Sequence, residues 1–207
     1  MKGEFNSKGL EDVLRSKALS LIAPLVLKSL QNHKRLRVLD LGCGQGYLCH
    51  LIAQQGNEAV GVDVSPSTIE KARTSFPECR FIVANIYELP FDQLENNFDV
   101  IISIEVIEHL FFPRELLRAA KRCLGPQGRF IISAPYHGYV KNLILSVANK
   151  WDQHFNIFND GWHIKFFSPK ILSLLLSQEG FTNISFKFIG RIPYAWRSMI
   201  CYSSLAP

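Results

Sequence analysis

The stretch EVIEH, residues 105–109, sets two carboxylates and an imidazole within five positions. If Glu105 opens a helix, Glu108 and His109 lie three and four residues on and share its face. Such a group can take a proton from a hydroxyl, or hold a divalent cation that lowers the hydroxyl's pKa. The plainer reading is that Glu105 caps a helix and Glu108 and His109 sit on a polar surface. A position just past the end of a strand favours chemistry, because ligands in open α/β sheets bind at the strands' carboxyl ends. His163, in GWHIKFF, is a further candidate, with a structural role equally open. His50 reads as surface or packing.

A second constellation lies upstream. VLDLGCGQG, residues 38–46, is an apolar strand end carrying Asp40, followed by Gly42, Gly44 and Gly46. Three glycines leave almost no Cβ atoms, so the backbone can turn sharply and let a ligand come close. VGVDVS, residues 60–65, ends a second strand on Asp63, placed to accept hydrogen bonds from both hydroxyls of a ribose. The spacing departs from the dinucleotide pattern G-x-G-x-x-G, since Tyr47 stands where its third glycine would fall, and nothing else speaks for a pyrophosphate.

Both constellations need a frame, and the apolar pattern supplies one. Strands are predicted over 36–41, 58–63, 81–84, 98–104 and 129–134, with helices over 47–55, 67–74 and 114–123. Strand–helix alternation of this kind calls for a doubly wound α/β fold, a mostly parallel sheet covered on both faces. A long leading helix is predicted over 10–30, divided near Pro24. A closing helix is predicted over 168–178, with Ser168 as N-cap, Pro169 at its first position and Gly180 as its stop. Strands over 182–189 and 197–203 complete the chain. Residues 136–165 break the alternation and carry Trp151, Trp162, Tyr136, Tyr139, Phe155 and Phe158. We read them as a helical, aromatic cap over a substrate pocket, with core packing of the aromatics as the alternative.

The chain of 207 residues is read as a single domain: leading helices over 1–35, a cofactor-binding core over 36–134, the cap over 135–167 and a closing unit over 168–207. Its five cysteines form no C-x-x-C pair, which suits reduced thiols and a cytoplasmic setting. No signal peptide and no membrane span is expected. The net charge is +5 and the pI about 9.0. The cations are spread, and Arg114, Arg118, Lys121 and Arg122 fall at helical intervals as a solvated face rather than a nucleic-acid track. Lys165, Arg191 and Arg197 could recognise an acidic substrate.

From residue 36 to about 134 the chain resembles the class I S-adenosylmethionine-dependent methyltransferases. VLDLGCGQG is similar to the family's first motif, VGVDVS to its acidic strand-2 motif, and LGPQGRFIISAP to its strand-5 region. FDVIISIEVIEHL is similar to the strand-4 motif of small-molecule enzymes of the ubiquinone-biosynthesis type. The resemblance implies a Rossmann-like, seven-stranded sheet with an antiparallel last strand, and S-adenosylmethionine as cofactor. It implies that Gly42, Gly44 and Gly46 surround the methionine portion, that Asp63 holds the ribose, and that Asp40 sits near the ammonium group. Glu105 lies near the cofactor, Asn85 stands where an acid commonly faces the adenine amino group, and Cys43, Val64 and Ile86 complete the cofactor set. His109 and Glu108 are the expected catalytic pair, and Tyr136, Trp162 and His163 the substrate-binding set. No metal is assigned, although a divalent ion on the acid–imidazole group is an alternative to a base. The expected reaction is methyl transfer to an oxygen or nitrogen of a small molecule, by a monomer or homodimer. An RNA or protein acceptor, or a catalytically silent cofactor-binding partner subunit, are the alternatives. An Asn/Asp-Pro-Pro-aromatic turn, expected after strand 4 in enzymes acting on base amines, is absent from the sequence there.

Overall fold

The structure is a computed structural model and describes residues 18–31, 35–94, 96–154, 163–190 and 197–206. Strand β1 (Arg37–Leu41), helix α1 (Leu19–Leu30) before it and helix α2 (Tyr47–Gln54) after it open the fold. They are followed by β2 (Glu58–Asp63), α3 (Pro66–Ser75), β3 (Arg80–Val83), the short α4 (Phe91–Leu94) and β4 (Phe98–Ser103). Then come α5 (Pro113–Cys123), β5 (Leu124–Pro135), α6 (Tyr139–Val147), α7 (Trp151–His154), α8 (Pro169–Gln178), β6 (Phe181–Ile189) and β7 (Ser198–Leu205). The seven strands form one sheet in the order β3-β2-β1-β4-β5-β7-β6. β7 runs antiparallel to both neighbours, and the other pairings are parallel.

Strand periodicity explains why both faces are covered. Along β4, Val100 and Ile102 face one apolar cluster while Ile101 faces the other; along β5, Ile131 opposes Phe130 and Ile132 in the same way. One face is packed by α1, α2 and α3 through Ile22, Val26, Cys49, Ile52 and Ile69. The other is packed by α5 and α8 through Leu116, Leu117, Ala120, Leu172 and Leu176. Continuous apolar runs in the central strands are what a sheet buried on two sides requires.

Most predicted elements stand where the pattern put them, and two differences have physical causes. First, α1 runs unbroken through Pro24. Pro24 points to solvent, while Ile22, Ala23, Val26 and Leu30 are held against the sheet, so packing outweighs the lost backbone donor. Positions 10–17 of the predicted helix lie outside the described residues. Second, β5 begins at Leu124 rather than 129. Phe98 pairs with Leu124 and Val100 with Arg129, so residues 125–128 bulge out of the ladder, which is where a strand tolerates Pro126. The cations of α5 lie on a largely exposed face, as predicted, and find partners on the chain itself. Arg114 and Arg118 pair with Glu179 at 2.9 and 3.1 Å, and Arg122 lies 3.7 Å from the centroid of the Phe91 ring. The closing helix α8 has its N-cap in the Ser168 hydroxyl, which accepts from the Ile171 N–H at 3.3 Å. Gly180 follows it in the left-handed region (φ +91°).

Candidate functional site

The glycine turn joins β1 to α2 and is held from below. The N–H groups of Gly42 and Cys43 both donate to the Val62 carbonyl, at 2.8 and 3.0 Å. Gly44 N–H donates to Asp63 Oδ2 at 3.0 Å, and Ser65 N–H to Asp63 Oδ1 at the same distance. Asp63 thus clasps the turn to the end of β2. The glycines divide by role: all three lie at positive φ, but only Gly44 has open space where a Cβ would stand. A Cβ at Gly46 would meet the Phe81 ring at 2.5 Å, so that position serves close packing.

The turn forms the wall of a cavity of about 360 Å³, lined among others by Asp40, Gly44, Tyr47, Thr68, Ile104 and Glu105. Asp40 is buried, and the Cys49 thiol donates to its Oδ2 at 3.7 Å. Burial pushes its carboxyl up to about 7, against the partial relief of that thiol bond. Val64, Asn85 and Ile86 follow the ends of β2 and β3 and do not line this cavity. Asn85 spends its Oδ1 on the Tyr87 N–H at 3.0 Å, capping the single turn 86–88.

At the end of β4 the expected shared helical face does not form. Residues 107–109 make one 3₁₀ turn, and Glu105 precedes it in the left-handed region (φ +54°), at roughly 1–3 kcal/mol of backbone strain. Its carboxylate turns away from Glu108 and towards β5 and β7. Glu105 N–H donates to Ser133 Oγ at 3.0 Å, and the Ser133 hydroxyl donates back to Oε1 at 2.8 Å. The Ser198 hydroxyl donates to Oε2 at 3.4 Å. Burial raises the Glu105 carboxyl nonetheless, while these hydroxyls and the charges of Arg197 and Lys141 pull it down.

His163 takes the place that Glu105 leaves. Glu108 is wholly buried, and its Oε1 lies 3.8 Å from His109 Nε2 and 3.9 Å from His163 Nε2. The two imidazoles meet edge to face, ring centroids 5.0 Å apart. Neither Glu108 oxygen has a hydrogen-bond partner among the described residues. Burial, reinforced by the Glu105 charge, lifts the Glu108 carboxyl to about 9, so it keeps its proton at neutral pH. The Glu108 carbonyl accepts from the N–H groups of Ile164 and Lys165, at 2.9 and 3.1 Å, and so holds the segment that carries His163 in place. Geometrically this acid between two imidazoles can relay a proton or ligate a cation, the three ligand atoms lying within 4.8 Å of one another.

Of the expected substrate residues, Tyr136 follows β5, its ring edge-on to Phe188 at 5.2 Å and its carbonyl accepting from Lys141 Nζ at 2.8 Å. Trp151 starts α7, and its indole N–H donates to Ser146 Oγ at 3.0 Å. Trp162, Phe155, Phe158 and Arg191 lie outside the described residues. His50 stacks on Phe76 and pairs with Glu78, in keeping with packing. Ser133, Ser198 and Lys141 were not singled out from the sequence. They lie 28, 93 and 36 residues from Glu105, and no local spacing signals such contacts.

Comparison with known proteins agrees with this frame. The model of a methyltransferase-domain family matches residues 32–167. A probable S-adenosylmethionine-dependent methyltransferase of Mycobacterium tuberculosis is 33% identical over 148 residues, covering 72% of this chain and 49% of the relative. A ubiquinone biosynthesis O-methyltransferase of Idiomarina loihiensis is 30% identical over 139 residues, covering 64% of this chain and 57% of the relative. The chain therefore spans about half the length of these curated relatives. Among solved structures, a Haloferax volcanii complex between the Trm112 methyltransferase activator and a putative methyltransferase aligns with a TM-score of 0.74 at 18% identity. That alignment covers 97% of this chain and 95% of the other, and it speaks for the fold. With the sheet order, the glycine turn and the strand-end acids in place, the chain belongs to the class I S-adenosylmethionine-dependent methyltransferase family.

Proposed function

We propose that the chain transfers a methyl group from S-adenosylmethionine to an oxygen or nitrogen of a small molecule. One observation carries the reading: the Glu108–His109–His163 cluster stands at the same sheet edge as a cradle suited to a cationic nucleoside. The chain's donors fit that cofactor. Gly44 leaves backbone open to a ligand, Asp40 faces the cavity as a buried acid able to meet an ammonium group, and Asp63 retains lone pairs for ribose hydroxyls. Cys43, Gly42 and Gly46 shape the turn. Val64, Ile86 and Asn85 flank the adenine side, where Asn85 still has its amide N–H₂ to donate.

When bound, the cofactor supplies the electrophilic methyl group; the protein orients the acceptor, excludes water and moves a proton. Because Glu108 keeps its proton at neutral pH, His109 is the acceptor for the proton of the attacking group. His163, Tyr136 and Trp162 are assigned to acceptor binding, Trp162 from the sequence alone. The O-methyltransferase named among the relatives supports oxygen over nitrogen. A second reading is favoured by the buried Glu108 oxygens facing two imidazoles: the same three residues would hold a divalent cation.

A methyl-transfer screen over phenols, quinols, amines, carboxylates and RNA, read by S-adenosylhomocysteine formation, tests the proposal. Turnover on a small molecule is expected. Turnover confined to RNA overturns the acceptor class, and cofactor binding with no turnover across the panel overturns catalysis. Loss of turnover on chelation, restored by added cation, selects the second reading.

A further inference from the structure

A second group of charged side chains gathers at the sheet's carboxyl edge, other than the acid–imidazole cluster. Glu105 follows β4, Tyr136 follows β5, Arg197 stands just before β7, and Lys141 lies in the first turn of α6. β5 ends opposite the start of β7, with Pro135 paired to Ser198, so the antiparallel ladder brings Arg197 to that edge. Tyr136 ties the two cations together through its backbone. Its N–H donates to the Arg197 carbonyl at 3.0 Å, and its carbonyl accepts from Lys141 Nζ at 2.8 Å. Both charges act on the carboxyl of Glu105, a residue that also lines the cofactor cavity.

Neither cation is neutralised by contact. The Glu105 oxygens are taken by the Ser133 and Ser198 hydroxyls, and neither Lys141 nor Arg197 forms an ion pair among the described residues. Lys141 is half-buried, yet its hydrogen bond goes to a neutral carbonyl, leaving two of its three N–H donors unspent among the described residues. Burial pulls its ammonium below the usual lysine range, with Glu105 opposing and Arg197 adding to the fall. A lysine drawn out of water without a bonded carboxylate is uncommon, because such charges are normally paired. Arg197 is exposed, and its guanidinium has no partner among the described residues. Two cations beside one carboxyl leave at least one positive charge over, the complement of a monoanion. A carboxylate suits them, since its two oxygens match the arginine fork while the lysine adds a point charge. We propose that Lys141 and Arg197 form an anion subsite that seats a carboxylate carried by the methyl acceptor, making the substrates acidic small molecules. This inference rests on the proposed methyl transfer to a small molecule and narrows it.

The test is calorimetric titration of the full chain, saturated with S-adenosylhomocysteine, with benzoate and with its neutral isostere benzamide. Benzoate is expected to bind roughly tenfold or more tightly, the scale of one charge-assisted hydrogen bond. Arg197→Gln should erase that preference by weakening benzoate and leaving benzamide as it was, with S-adenosylhomocysteine affinity and melting temperature unchanged. Lys141→Gln should act in the same direction. Because Lys141 also holds the Tyr136 carbonyl, the exposed Arg197 position guards against a folding defect. Arg197→Lys, which keeps the charge and loses the fork, should restore part of the preference. In the methyl-transfer screen, phenols bearing a carboxylate should show a lower KM than their carboxamides at similar kcat. Equal binding of benzoate and benzamide overturns the subsite, as does a preference that survives both glutamine substitutions. The titration needs no turnover, so it decides the subsite even where the screen is blank. Turnover confined to neutral acceptors would leave methyl transfer standing and overturn this inference alone.

Discussion

The glycine turn and the β4 end face the same sheet edge but are built on opposite terms. In the turn, every described anchoring group is satisfied: Val62 carbonyl and Asp63 carboxylate accept the turn's N–H groups, and the residues involved lie within about 25 positions of one another. At the β4 end, Glu105 is strained, the Glu108 carboxyl is buried without a hydrogen-bond partner among the described residues, and the parts come from β4, β5, β7 and the segment around His163. The difference teaches that the cradle is preformed by local backbone chemistry. The acid–imidazole cluster is instead held in an unfavourable state by surrounding tertiary structure, a pattern common at functional sites.

The sharpest way to break this comparison is His109→Ala. If the β4 end does the proton transfer, turnover should fall roughly a hundredfold or more while calorimetric affinity for S-adenosylhomocysteine stays at the wild-type value. Unchanged turnover would mean that the reaction runs by positioning alone. Asp63→Ala attacks the other region. It removes the acceptor of two backbone bonds and of the ribose hydroxyls, so cofactor affinity should fall by about 1.5–3 kcal/mol per charged hydrogen bond lost. Wild-type affinity by calorimetry would refute the cradle.

Asp40 sharpens the contrast through pH. Its carboxyl, at about 7 in the free protein, is mostly neutral below that value and ionised above it. A cationic ligand prefers the ionised form, so affinity should rise between pH 6 and pH 8 and then level off. Asp40→Asn should bind more weakly and lose this dependence, as titration at several pH values would show. The smallest effect concerns Glu108 and stability. Its folded value, about 9, lies above the unfolded 4.5, so the folded state holds the extra proton between them and stability falls as pH rises through that window. Glu108→Gln should flatten that slope and raise the melting midpoint at pH 8 by a few degrees, about 2–4 °C per kcal/mol for a chain of this size. A midpoint that drops instead would show that the acid supports the fold through contacts not tied to its charge.

What could be read from the chain alone was whatever depends on neighbours in sequence. Two-sided apolar runs announce buried parallel strands, Ser168-Pro169 and Gly180 announce the start and stop of α8, and glycines followed by Tyr47–Gln54 announce a turn into a helix. Asp40 and Asp63 were legible for the same reason, each closing a strand whose direction the pattern sets. Tertiary structure alone decided the rest. It kept α1 unbroken through Pro24, because burial of Ile22, Val26 and Leu30 overrides a local breaker. It also exchanged Glu105 for His163 in the acid–imidazole cluster. The spacing of EVIEH predicts one helical face, but Ser133 and Ser198, far along the chain, capture the Glu105 carboxylate and hold the backbone in a left-handed turn. His163 arrives because Ile164 and Lys165 bond to the Glu108 carbonyl. Contacts between residues that distant leave no periodicity in sequence, so only the folded chain brings them together.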